Sequence, residues 1–66
     1  MTVADVDREI EGLRQLAHDA ERAHAREDAL RVLVLTAIAD GRADDPVGIA
    51  RAVLRTSEIS FARWYA

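Results

Sequence analysis

The chain contains no cysteine, no lysine and no asparagine, only one proline, three glycines and three aromatic residues, and its longest unbroken apolar run is the four residues from Val32 to Leu35. Each shortage excludes something. Without cysteine there is no disulfide, no thiolate nucleophile and no zinc site of the common kind. An apolar run of four residues falls far short of the ~20 needed to cross a bilayer. The opening MTVADVDREIE is acidic where a secretory leader would be apolar, so the expectation is a cytoplasmic protein with no membrane partner. No glycine-rich phosphate loop and no G-x-S-x-G elbow occurs. His18 and His24 are six apart, the wrong spacing for two ligands on one helix face, and His24 with Asp28 four residues on is the ordinary pairing of a surface histidine with a helical acid. The residues therefore predict no enzyme, no metal and no cofactor.

What is present is helical material. Half of the 66 residues are apolar, and alanine and leucine, both strong helix formers, supply much of that half. A chain this short buries only about 60% of its unfolded surface. With no covalent staple it must rely on close helix packing or on a second chain. All nine basic residues are arginine, a usage typical of high-GC coding sequence. The net charge of −3 argues against a surface that grips nucleic acid everywhere, but the charge is uneven: residues 1–40 carry nine acids against five arginines, and residues 41–66 carry three acids against four arginines.

Periodicity organises the chain. Val3, Val6, Ile10, Leu13, Ala17 and Ala20 follow one another at spacings of 3, 4, 3, 4 and 3, a heptad seam on a long amphipathic N-terminal helix. The stripe is narrow and suits one helix leaning on another. Two neighbours fit it equally: the same helix in a second chain, or the next helix of its own chain. Ala29 to Ala39, ALRVLVLTAIA, is apolar nearly all round and predicts a central helix covered on every side, which in so small a chain favours a homodimer. It either continues the first helix or is separated from it by a break near Arg26–Asp28. Asp40-Gly41 ends it. Asp45 as N-cap with Pro46 in the first turn starts a helix that runs to Leu54. Thr56 or Ser57 caps a last helix, Glu58 to Tyr65. On that helix Phe61, Trp64 and Tyr65 share one face, while Thr56, Ser60 and Arg63 cluster on another. Three aromatics at helical spacing are ordinarily core and a polar opposite face is ordinarily solvated. The same polar face also has the residue types that reach phosphates and base edges.

AERAHAREDALRVLVLTAIADG (residues 20–41) is similar to the charged lead-in and first packed helix of small helix-turn-helix proteins of high-GC bacteria and their phages. GIARAV (residues 48–53) resembles the short first helix of their motif, with Ala50 or Ala52 at the helix–helix contact, and RTSEISFARWY (residues 55–65) resembles the recognition helix. The sequence departs from that pattern in three ways: Val53-Leu54-Arg55 has no turn glycine, the approach loop RADDP is acidic, and the last helix is poor in positive charge.

The expectation is thus an all-α domain over residues 1–66, with three or four helices. Residues 1–40 form a dimerisation or packing region, and residues 45–65 a helix-turn-helix-like pair. The resemblance implies a DNA-binding protein of the kind that regulates transcription in phages or mobile elements, with Thr56, Ser57, Ser60 and Arg63 towards DNA and Arg51 and Arg55 on phosphates. The second reading is an acidic helical protein-binding module, an adaptor or inhibitor. It would dock through an apolar patch formed by Val3, Val6, Ile10 and Leu13, with Ala17 and Ala20 extending the seam, or by Trp64 and Tyr65.

Overall fold

The computed structural model describes residues 1–63, and among them the chain is all-α. Helix α1 spans Val3–Gln15, α2 spans Ala20–Ala39 and α3 spans Pro46–Leu54, followed by a single 3₁₀ turn, Arg55–Glu58. Local chemistry explains each start. Thr2 and Asp5 form a reciprocal capping box on α1: the Asp5 N–H donates to the Thr2 hydroxyl at 3.1 Å and the Thr2 N–H donates to the Asp5 carboxylate at 2.9 Å. These bonds from Thr2, reinforced by the charge of Arg8, hold the Asp5 carboxyl below its usual range. Asp19 caps α2 by accepting from the Arg22 N–H, and Asp45 caps α3 by accepting from the Gly48 N–H, with Pro46 in the first turn.

Gly41 ends α2 with φ of +71°, the left-handed conformation that a side chain disfavours. The Arg42 N–H then donates to the Ala37 carbonyl at 2.8 Å and the Gly41 N–H to the Ile38 carbonyl at 3.1 Å, the two bonds of a Schellman stop. The loop that follows is tied to the N-terminus: the Met1 amine donates to the Arg42 carbonyl at 2.8 Å and the Asp44 N–H to the Met1 carbonyl at 3.1 Å.

The first two helices are separate, and the break falls at Leu16–Asp19, earlier than Arg26–Asp28. No glycine or proline marks it. The chain turns because Asp19 offers a cap and because Val6, Ile10 and Leu13 have to be buried against the other two helices. The core combines those three residues with Ala23, Leu30 and Val34 of α2, Ile49, Ala52 and Val53 of α3, and Ile59 beyond the 3₁₀ turn. The N-terminal seam is therefore closed within the chain: Val6, Ile10 and Leu13 are buried and Val3 and Ala17 pack partly against the same core, while Ala20 is half-buried. Of the two neighbours the seam admitted, it meets its own chain.

The C-terminal segment differs from expectation as well. Residues 59–63 are not helical. The helix expected from Glu58 onwards is replaced by the 3₁₀ turn and a stretch without regular structure, and its positions Trp64 and Tyr65 lie outside the described residues. The cause is a long-range contact. Arg63 grips Glu27 of α2 with two side-chain bonds of 3.0 Å, from Nε to Oε1 and from Nη2 to Oε2. The same Nη2 lies 2.9 Å from the Thr56 carbonyl and 3.0 Å from the Ile59 carbonyl, groups that a continuing helix would have used for its own ladder.

Candidate docking surface

Helix α2 has two seams. Ala23, Glu27, Leu30, Val34 and Ala37, spaced 4, 3, 4 and 3, form its buried side. Ala25, Ala29, Val32, Thr36 and Ala39 repeat the same spacing on the opposite side, and all five are exposed. Leu33 and Leu35 flank the outer seam. Val32 is 63% exposed, Leu33 45% and Leu35 66%, unusual values for three large apolar side chains in four consecutive positions. The central helix is therefore covered on one side only: α1 and α3 pack on its inner seam and no described residue covers the outer one.

The apolar surface continues round the helix. Leu35, Val34 and Ile38 of α2 and Ala50, Val53 and Leu54 of α3 line a groove of about 290 Å³, with the Arg31 side chain at one edge. Leu54, 66% exposed, forms its outer lip. The charge of α2 lies between Glu21 and Arg31; between Val32 and Ala39 it carries none.

The residues expected to face DNA are dispersed. Thr56 is fully buried and its hydroxyl accepts from Arg31 Nη2 at 3.2 Å. Arg63 points inward, onto Glu27, with its guanidinium 3.9 Å from the Phe61 ring centroid. Both are corrections to the expected polar face, and they have one cause: Glu27, almost fully buried, has to be hydrogen-bonded and neutralised, and Thr56, Arg31 and Arg63 are the groups that reach it. Burial pushes the Glu27 carboxyl up, but the bonds from Arg63 and Thr56 and the charge of Arg31 outweigh burial and leave it below its usual value. Arg55 is 3.8 Å from Asp7, the exposed Ser57 hydroxyl donates to the Leu54 carbonyl, and Arg51 and Ser60 are exposed. Ile59 is core. His24 Nε2 lies 3.4 Å from Asp28, and among the described residues no group of three or more histidines and acids is placed to hold a metal ion.

Compared with known proteins, the chain matches no family model, no curated protein and no solved structure. No helix among the described residues is long and apolar enough to cross a membrane.

For a docking patch the sequence offers Val3, Val6, Ile10 and Leu13, which are buried or packed against the chain's own core, or Trp64 and Tyr65, which lie outside the described residues. It names no residue of the outer face of α2 for that role, although the signal is there: ALRVLVLTAIA reads as a helix covered on every side, and the described residues cover only its inner seam.

Proposed function

We propose that the protein is a small helical protein-binding module whose docking surface is the outer face of α2. One observation carries this reading: Val32, Leu33 and Leu35 stand exposed in a charge-free stretch beside an apolar groove with Leu54 at its lip. Contiguous apolar surface of this kind is the usual mark of a protein contact. The competing proposal, a helix-turn-helix DNA-binding protein, has weaker support. Its recognition helix is lacking over residues 59–63, Thr56 and Arg63 are engaged inside the fold, and of its three arginines only Arg51 and Arg55 remain to meet phosphates, which supply most of the affinity for DNA.

Site-specific photocrosslinking in the source cells separates the two. A photoreactive residue at position 32 or 36 is expected to give protein adducts, and the same probe at position 57 or 60 to give none. Adducts to DNA from positions 51, 57 or 60, with none from α2, would overturn the reading.

A further inference from the structure

We infer that the outer face of α2 takes a second copy of this chain, packed with the two α2 helices antiparallel across a two-fold axis that passes between Val32 and Thr36. The inference rests on the protein-binding reading and names its partner. The first ground is the repeat itself. An exposed seam at heptad spacing complements a helix of the same period, and α2 presents one. The second ground is how α2 is divided along its length. Its apolar half holds Val32, Leu33 and Leu35, and its charged half holds Arg26 and Asp28. An antiparallel pair centred on the apolar half buries leucine against leucine and leaves the charged halves overhanging in water.

That register is self-complementary in detail. Val32 meets Thr36 of the second copy and Ala29 meets its Ala39, so small residues flank the centre and the axes can approach to the short end of the ~8–10 Å range. Leu33 and Leu35 each lie beside their own equivalents across the axis. Arg26 lies on the same flank as Asp40 of the second copy, displaced from it along the axis, and by symmetry this happens twice. A parallel, in-register pair would instead set Leu35 against Asp40 and Asp28 against Leu33, each charge facing a leucine. The contact is isologous and closes after two copies, as most homo-oligomers do.

Sedimentation equilibrium of the full chain is expected to give a reversible dimer. Val32→Glu, at a position exposed in the single chain, should raise the dissociation constant by about a hundredfold or more while the helical circular dichroism is unchanged. Orientation is read with cysteine variants. Val32→Cys and Thr36→Cys, each oxidised alone, should stay uncrosslinked, and an equal mixture of the two should form a disulfide-linked heterodimer. Disulfides within each single variant would overturn the antiparallel arrangement. A chain that remains monomeric to millimolar concentration would overturn the second copy as partner. In that case protein adducts from position 32 in cells would leave the protein-binding reading standing, and their absence would remove both.

Discussion

The two faces of α2 have the same spacing and opposite fates. The inner seam has a carboxylate at its second position, and the fold supplies Arg63, Arg31 and Thr56 to hold it. The outer seam carries no charge and is covered by no described residue. Periodicity alone cannot tell which seam a small domain will bury. The difference lies in which side chains elsewhere in the chain are available to complete each one. For the inner face these are Val6, Ile10 and Leu13 of α1 and Ile49 and Val53 of α3. For the outer face the described residues offer none.

Substitutions should separate the faces by size of effect. Leu30→Ala removes a buried inner-face side chain and should cost about 2–5 kcal/mol, enough to unfold much of so small a domain, as urea denaturation would record. Glu27→Ala leaves Arg63 without its carboxylate. Because the Arg63 side chain is still 21% exposed, the loss should fall below that of a fully buried pair, at about 2 kcal/mol. Nuclear magnetic resonance should then show residues 59–63 detached from α2. Near-native stability in that variant would mean that the latch is dispensable.

Acid sharpens the same contrast. The Glu27 carboxyl is held below its usual value of 4.5 in the folded chain, so its contribution is complete above that pH and is lost as pH falls through the lowered folded value. The thermal midpoint should drop on acidification, and by less in Glu27→Gln. That variant keeps the Asp5 contribution, which has the same sign. The smallest effect belongs to the outer face: Val32→Ala should change the stability of the single chain by no more than about 0.5 kcal/mol in dilute thermal melts. A larger loss would mean that the outer seam is already covered.

Much of this was legible in the residues. Asp45-Pro46 marks the start of α3 and Gly41 marks the stop of α2. These signals are local and rest on turn and cap chemistry. The seam of α1 showed the right residues but not their neighbour, because a heptad pattern is the same whether the neighbour is the same chain or another. The break before Asp19 was obscured by Ala17 and Ala20, alanines that keep the heptad spacing while adding little to the packing. The final helix failed for a different reason. Its periodicity was real, but a buried acid 36 residues away claimed Arg63. The polar face assigned to DNA was read as a property of one helix, whereas Thr56 and Arg63 belong to a cluster assembled from three segments.

The pairing of Glu27 with Arg63 also closes a long loop of chain. The two residues lie 36 apart, and the segment they enclose holds the second half of α2, the whole of α3 and the 3₁₀ turn. In a chain with no cysteine, the pair does without a covalent bond what a disulfide does elsewhere: it fixes two distant points of the chain against each other. The entropy of closing such a loop grows only slowly with its length, so the span itself adds little to the cost of the contact. A cut in the loop between Asp40 and Asp45 would therefore leave two pieces still joined through Glu27 and Arg63.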